Sequence, residues 1–197
     1  MTILKDLKTA IIILLVFTIL LGIIYPLFIA GVSHLAFPKA AQGSIVRDND
    51  KIIGSQLIGQ NFTSEKYFHG RPSNAGNGYD AASSGASNLA ATNKTLIQNV
   101  HQRVQDVQKF NQSSQPVPMD LVMASGSGLD PDISPEAAYY QAARIAKQRN
   151  LSENVVRQFI ERHIQTPWIP FLGAAHVNVL QLNLALDKLK DSGHNTK

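Results

Sequence analysis

The sequence predicts an α+β domain of helices and a few short strands that follows one N-terminal transmembrane helix. Residues 10–32 carry no charged side chain and, as a helix of roughly 35 Å, are long enough to cross the bilayer core. The remaining chain mixes short β-branched runs with segments of helical period and shows no internal repeat. We therefore expect a cytoplasmic tail at residues 1–9, a transmembrane helix at 10–33 and a single extracytoplasmic domain at 34–197.

The apolar run is interpreted as a retained membrane anchor. The alternative, a cleaved signal peptide, has an apolar region of only about 7–15 residues, and no clean small-residue cleavage site follows this run. A buried core helix would show a polar face, which is absent here. Tyr25 and Pro26 lie inside the run, and the proline removes one helical hydrogen bond. We therefore expect a kink at this point, packed against a neighbouring helix.

The charges indicate an orientation and exclude one class of partner. Lys5 and Lys8 precede the apolar run, so the positive-inside rule predicts a cytoplasmic N-terminus and a domain on the other side. The net charge of +4 is scattered, and no basic patch is interleaved with aromatics, so nucleic acid is not a predicted partner. The densest basic group, Arg144, Lys147 and Arg149, falls where a helix is predicted to end and suits the helix dipole.

Periodicity predicts the elements of the domain. A hairpin turn is expected at residues 48–50, a loop at 68–93, a strand at 117–124, and an extended segment at 166–173 because of its two prolines. Four helices are expected, at 92–110, from Ser134, from Ser152 and at 178–189, each with its apolar residues on one face. In the first two helices these residues are Leu96, Val100, Val104, Val107 and Phe110, and then Ala138, Ala142, Ile145 and Ala146. In the last two they are Val155, Val156, Phe159, Ile160 and Ile164, and then Val179, Leu182, Leu186 and Leu189. The last four form either core or a stripe that faces a partner.

Residues 125–135, SGSGLDPDISP, allow three interpretations: a phosphate-binding loop, a metal-binding loop or a junction that starts a helix. A phosphate-binding P-loop would need a lysine after the second glycine, and none follows. A calcium-binding EF-hand loop that began at Asp130 would need glycine and glutamate where Pro135 and Gln141 stand. A helix start fits better, because Ser134 is a suitable N-cap and Pro135 is favoured as the first helical residue. The segment is therefore predicted to be a junction, with a binding surface as the alternative.

Other catalytic and metal-binding patterns are weak. The histidines lack the spacing of zinc ligands, the chain has no cysteine, and no G-x-S-x-G sequence indicates a serine hydrolase. Arg71, in the stretch YFHGRPS, is interpreted either as a site for an anion or carboxylate or as one half of a structural ion pair.

An anchor with Tyr25 and Pro26, followed by five stretches in a fixed order, carries a resemblance to a known family. The stretches are GSQLIGQNF, YFHGRPS, SSGASNLAATN, SGSGLDPDISPEAAYYQAARIAKQR and VNVLQLNLALD. Together they resemble the KdpC family, the C subunits of bacterial high-affinity potassium-transporting ATPases, over nearly the whole chain. The resemblance implies a non-catalytic, single-pass subunit of the bacterial inner membrane, assembled with KdpA, KdpB and KdpF. It also implies a role in assembly and as a catalytic chaperone that raises the ATP affinity of KdpB.

The resemblance also suggests sites. It implies no cofactor of the chain's own, since ATP and potassium act at the level of the complex. A nucleotide contact is implied for the stretch SQLIGQ, at Ser55, Leu57, Gly59 and Gln60. A surface facing a partner or potassium ions is expected at Arg71, Ser87, Asn88, Asp130 and Asp132, because neighbouring carboxylates raise the local cation concentration.

Two other functions stay open from the sequence. One is a membrane-anchored nucleotide-binding regulator or hydrolase that acts on its own. The other is an envelope protein that binds a small anion at Arg71.

Overall fold

The structure, a computed structural model, describes residues 2–48 and 50–192. The chain divides into two compact units, Met1–Ile53 and Gly54–Lys197. The α-helices are α1 Thr2–Ile19, α2 Tyr25–Ala36, α3 Pro38–Ala41, α4 Lys94–Asn111, α5 Pro135–Tyr140, α6 Ala142–Arg149, α7 Glu153–Glu161 and α8 Val179–Ser192. The strands are β1 Ile45–Asp48, β2 Lys51–Ser55, β3 Asp132–Ile133 and β4 Val177–Asn178. This mixture confirms the predicted α+β class.

The first unit is dominated by one long apolar helix. Residues from Ile3 to Ala36 form a continuous helical span that is long and apolar enough to cross a membrane. Between α1 and α2 the span changes to a π-helical turn at Leu20–Ile24, where the Tyr25 N–H bonds the Leu20 carbonyl. Pro26 lies two residues beyond the end of this turn and cannot donate a backbone hydrogen bond. A π turn is a recognised way for a helix to absorb such a disruption. The disturbance expected at Tyr25 and Pro26 is therefore a π bulge.

The predicted hairpin is present, with β1 and β2 as neighbours in a two-stranded sheet. Asn49, in the predicted turn, lies outside the described residues. Arg47 Nη1 donates to the Asp50 carbonyl across the turn at 3.3 Å.

The second unit packs its helices around one core. The strands β3 and β4 pair antiparallel, with Asp132 opposite Asn178 and Ile133 opposite Val177. Alanines on α5 and α6 have no side chain beyond Cβ, which allows α7 to approach both helices closely. The buried cluster consists of Phe68, Leu121, Ile133, Ala137, Ala138, Ala142, Ile145, Ala146, Val156, Phe159, Ile160, Val177, Val179, Leu182 and Leu186.

Most of the predicted helices are confirmed. Asn93 caps α4 by accepting from the N–H groups of Thr95 and Leu96, and Ser152 caps α7 by accepting from Val155. Val155, which was expected to face inward, is exposed. Leu189, one of the four positions of the last helix assigned either to the core or to a stripe that faces a partner, is exposed as well. Because α7 buries a narrow face, Val155 falls at its edge, and Leu189 lies beyond the part of α8 that contacts the core.

Two predicted elements are wrong in form. The expected strand at 117–124 is instead a 3-10 turn, Met119–Leu121, because Pro118 has no N–H for a strand ladder. The helix expected from Ser134 is divided at Gln141, whose side chain accepts from the His69 N–H and donates to the His69 carbonyl. The spacing of apolar residues along a helix does not show that a polar side chain will form hydrogen bonds with the backbone of a residue far away in the sequence.

The two-residue strands β3 and β4 had no counterpart among the predicted elements. The loop expected at residues 68–93 is confirmed as a segment without helix or strand, although Phe68 and Ala75 within it are buried.

Candidate functional site

The segment 125–135 forms the start of α5, as predicted. The Ser134 hydroxyl accepts from the Ala137 N–H at 3.2 Å, and Pro135 is the first helical residue. The Ser134 N–H in turn donates to the Asp120 carboxylate at 2.8 Å. These bonds satisfy backbone groups that a helix start would otherwise leave unpaired. We refer to residues 125–135 below as the entry segment.

The entry segment is also the surface on which the loop at residues 68–93, here named the long loop, rests. Gly128 has a φ of +67°, and a Cβ built there would lie 2.6 Å from the Gly85 carbonyl oxygen and 2.7 Å from the Ala75 nitrogen. The Ser73 hydroxyl donates to the Gly128 carbonyl at 2.5 Å, and the Gly85 N–H donates to the Ser127 carbonyl at 2.9 Å. Only glycine combines this backbone angle with so close an approach.

The two predicted cation-facing aspartates are engaged within the protein. Asp130 Oδ2 lies 3.0 Å from Arg71 Nη1, and Asp130 Oδ1 accepts from the Asp132 N–H at 3.0 Å. Asp132 Oδ1 accepts from the Asn178 amide at 2.9 Å, and its other oxygen lies 4.0 Å from His176 Nε2. Burial raises the pKa of Asp132, although the Asn178 hydrogen bond and the His176 ring oppose this effect. The structure therefore brings together three of the predicted residues: Arg71, Asp130 and Asp132.

Arg71 thus forms the ion pair that was one interpretation of its sequence, while its use as an anion site stays a prediction. The guanidinium lies between a carboxylate and a cavity, and its buried Nε has no hydrogen-bond partner among residues 2–48 and 50–192.

The stretch SQLIGQ forms a turn that packs on the entry segment. Ser55 Oγ accepts from the Leu57 N–H at 3.1 Å, and the Gly59 N–H donates to the Leu129 carbonyl at 2.8 Å. A Cβ on Gly59 would lie 2.6 Å from the Asp130 carbonyl oxygen, so glycine is needed for close contact. Phosphate cradles rely on free backbone N–H groups. The N–H groups of Leu57 and Gly59 are already occupied in this conformation, and the nucleotide contact at Ser55, Leu57, Gly59 and Gln60 stays a prediction.

Ser87 and Asn88 lie apart from this cluster on the surface of the long loop. Asn88 has a positive φ of 53°, and Ser87 Oγ accepts from the Leu89 N–H at 3.5 Å. Ser87 contributes to a cavity of about 320 Å³ that is bordered by α4, with these lining residues: Asn74, Ala86, Ser87, Leu89, Leu96, Asn99, Arg103, Met123 and Ala124.

A larger cavity of about 340 Å³ was not expected from the sequence. Its lining residues are Asn61, Phe62, His69, Gly70, Arg71, Pro72, Tyr79, Asp106, Val107, Phe110, Asn111, Leu121 and Gln141. The His69 ring lies 4.8 Å from the Phe110 ring, and its Nε2 bonds the Ser64 carbonyl at 3.1 Å. Burial lowers the pKa of His69, and the nearby Arg144 charge adds to this effect. The lowered pKa favours the neutral form of the His69 ring, which with Phe110 makes this part of the wall aromatic, while Arg71 and Asp106 bring charged side chains to the same cavity. The stretch YFHGRPS pointed to Arg71 but gave no reason to include His69.

Arg144 has a different role from the one its sequence suggested. Its side chain is buried rather than placed at a helix end for the dipole, with only 6% of the residue exposed. The guanidinium donates to Asn111 Oδ1 at 2.9 Å, to Gln141 Oε1 at 2.8 Å and to the Tyr67 carbonyl at 3.0 Å, and it also bonds the Glu65 carbonyl. Burial lowers the pKa of Arg144 to about 10, so it stays charged at neutral pH. It joins residues 65–67, which precede the long loop, to α4 and α6.

A metal site has no support in the part of the chain that the structure describes. Among residues 2–48 and 50–192, no group of three or more His, Asp or Glu side chains is arranged to hold an ion.

Comparison with known proteins gives consistent similarities over nearly the whole chain. Residues 7–188 match the model of the family described as KdpC: K+-transporting ATPase, c chain. The potassium-transporting ATPase KdpC subunit of Acidobacterium capsulatum is 50% identical over 185 residues, which cover 94% of this chain and 99% of that protein. The subunit of Koribacter versatilis is 46% identical over 183 residues, with coverage of 93% and 94%. That of Mycobacterium tuberculosis H37Ra is 49% identical over 187 residues, with coverage of 94% and 99%.

Proposed function

The chain belongs to the KdpC family of K+-transporting ATPase c chains, and on this premise we propose that it is the accessory C subunit of a bacterial, ATP-driven, high-affinity potassium importer. The observation that carries the proposal is the extent of the similarity: residues 7–188 match one family, including both the apolar helix and the folded unit. A similarity confined to the folded unit would be compatible with many envelope proteins.

In this proposal the chain does not catalyse ATP hydrolysis. It assembles with KdpA, KdpB and KdpF, is needed for their assembly, and raises the affinity of KdpB for ATP. ATP and potassium act in the other subunits. The geometry supports a structural role, because the polar groups of the entry segment and of SQLIGQ are largely engaged in bonds that fasten one loop to another.

The membrane helix is proposed to pass once through the inner membrane, with the N-terminus in the cytoplasm. Lys5 and Lys8 support this orientation by the positive-inside rule. The π turn before Tyr25 widens the helix locally and leaves its side chains out of the regular i, i+4 order. We expect a helix of another subunit to pack against this irregular stretch.

Assembly is tested by co-expressing the chain with KdpA, KdpB and KdpF subunits in cells without their own high-affinity potassium uptake. The chain should co-purify with the other subunits and support growth at low potassium. Without it, the complex should fail to assemble, or should require more ATP for half-maximal hydrolysis. Full assembly and unchanged ATP dependence in its absence would contradict the proposal. Hydrolysis of ATP by the purified chain alone would favour an independent enzyme.

Topology is tested with a cysteine at an exposed loop position. The chain has no cysteine of its own, so Ser83→Cys introduces a unique thiol. Ser83 is preferred to its neighbour Ser84, whose hydroxyl donates to the Ser127 carbonyl at 2.9 Å. The thiol should react with an impermeant reagent from outside intact spheroplasts. Reaction only after lysis would mean that the domain is cytoplasmic.

A further inference from the structure

An exposed apolar loop lies between α7 and β4. Residues 166–175, here named the Trp168 loop, present three large hydrophobic side chains to solvent: Trp168 is 95% exposed, Phe171 85% and Leu172 68%. Scattered exposed hydrophobics are normal on any surface, but a contiguous group of large ones indicates an interaction site. Among the described residues, the buried core cluster of the second unit does not include these three side chains.

The Trp168 loop is held in one shape by its backbone. Gln165 and His176 close its base with two hydrogen bonds, from the Gln165 N–H at 2.8 Å and from the His176 N–H at 3.0 Å. Its tip is a 3-10 turn, Pro170–Leu172, in which the Leu172 N–H donates to the Ile169 carbonyl at 3.0 Å. Two prolines restrict it further. A loop that is already ordered loses little conformational entropy when it binds, which favours a specific contact.

The composition of the loop favours a protein partner over a lipid surface. Residues 166–175 contain no Asp, Glu, Lys or Arg. Segments that bind anionic membranes usually combine apolar side chains with a basic cluster, which this loop lacks. In contrast, the centre of a protein interface is depleted of charge, and tryptophan is among the residues that contribute most to binding energy. The composition of the Trp168 loop therefore matches that of the centre of a protein–protein interface.

The partner is expected to be a protein within reach of the segment that links the folded unit to the membrane helix. Residues 37–53 separate the membrane helix from the folded unit, and a chain of this length spans at most about 60 Å when fully extended. The folded unit is therefore tethered near any membrane-embedded protein that lies beside the helix. The relatives of this chain are named as subunits of an ATPase, that is, parts of an assembly.

We propose that the Trp168 loop docks the folded unit onto another subunit of the same potassium transporter, by inserting Trp168 and Phe171 into an apolar, uncharged cleft on that subunit. This inference rests on the proposed function, since it takes the occupant from the same assembly. The proposal places most of the docking energy of the folded unit in Trp168 and Phe171 of this loop.

The first experiment excludes lipid as the occupant. Trp168 is the only tryptophan of the chain, so its fluorescence reports the loop directly. In the full-length chain alone, reconstituted in phosphatidylethanolamine–phosphatidylglycerol vesicles, iodide should quench Trp168 and brominated phospholipids should not. Quenching by brominated lipid would show that Trp168 inserts into the membrane. Protection from iodide without quenching by brominated lipid would indicate that a second copy of this chain covers Trp168. Either result would overturn the proposal.

The second experiment measures incorporation into the complex. Wild-type and differently tagged variant chains are co-expressed with the other subunits, and the ratio of the two in purified complexes is determined. Trp168→Ala combined with Phe171→Ala should be incorporated at least about tenfold less than wild type, as expected for central interface residues. Met119→Ala is the matched control, because Met119 is also an exposed apolar residue, 72% exposed, but lies outside the loop. It should be incorporated as well as wild type.

The outcomes separate this inference from the function on which it rests. If wild type co-purifies and the double variant is incorporated equally, the loop does not dock and only the inference is overturned. If wild type does not co-purify at all, the proposed function is overturned and the inference with it. Since Trp168 and Phe171 are largely exposed, their replacement should leave the thermal unfolding of the isolated chain unchanged, which checks that reduced incorporation is not misfolding.

Discussion

The guanidinium Nη1 of Arg71 lies 3.0 Å from the carboxylate Oδ2 of Asp130, which joins the long loop to the entry segment. The pair places opposite charges side by side, so its field at a distance is weaker than that of an isolated carboxylate. A surface that concentrates potassium by negative charge would therefore depend on how firmly Arg71 holds Asp130.

This relationship yields a prediction for potassium affinity. Asp130→Asn should raise the half-saturating potassium concentration of the assembled transporter if the surface faces the ions, because it leaves the positive charge of Arg71 uncompensated. Arg71→Gln should lower that concentration if the surface faces the ions, since it leaves Asp130 uncompensated. Potassium-dependent ATP hydrolysis by purified complexes is the measurement. Identical values for wild type and both variants would mean that these residues do not face the potassium path.

Gly128 gives a stability prediction with a matched control two residues away. Gly128→Ala should lower the free energy of unfolding by about 2–4 kcal/mol, because alanine would be strained at φ +67° and its Cβ would meet two backbone atoms of the long loop. Gly126→Ala should cost less than about 0.5 kcal/mol, since a Cβ there has no atom of the described residues within 4 Å. Urea unfolding of the full chain in detergent measures both. Equal losses would argue against the close contact at Gly128.

Among the basic residues of the folded unit, Arg144 is the one whose replacement is expected to lower the free energy of unfolding most. Arg144→Ala should destabilise the chain by about 3 kcal/mol or more, because it leaves Asn111, Gln141 and the Tyr67 carbonyl without their shared donor. Arg144→Lys should not restore stability, since an ammonium group cannot reach all these acceptors at once. Lys147→Ala on the same helix should change the free energy by less than about 0.5 kcal/mol. A lysine variant as stable as wild type would disprove the role of the guanidinium fork.

His69 predicts a pH dependence of stability. Burial lowers the pKa of His69 in the folded chain below its ordinary value of 6.5. Below about pH 6.5 the unfolded chain therefore binds more protons at this residue than the folded chain, so stability is lost as pH falls. The unfolding free energy should decrease from pH 7.5 to 5.5, and His69→Gln should reduce that slope.

The exposed His101 on α4 supplies the control for this experiment. His101→Gln should leave the slope of stability against pH as it is in wild type. A slope that is reduced equally by both substitutions would mean that burial of His69 is not its cause.

Local features of this protein follow from sequence because neighbouring residues decide them. The membrane helix needs only an uncharged apolar run of sufficient length, and the helix starts at Asn93, Ser134 and Ser152 need only a capping side chain beside the first turn. The family resemblance, likewise a property of sequence, is confirmed by the match over residues 7–188.

Features that join distant segments could be decided only by the tertiary structure. Arg71 and Asp130 are 59 residues apart in the chain, and Gln141 holds the backbone of His69 across 72 residues. Residue type and periodicity say which groups need partners but not which partners the packed chain brings within 3 Å. For that reason the sequence suggested that Arg144 interacts with a helix dipole, whereas the structure shows a buried guanidinium that donates hydrogen bonds to several segments. The tertiary structure likewise decided that the two aspartates of the entry segment are engaged within the protein, while Trp168 is left in solvent.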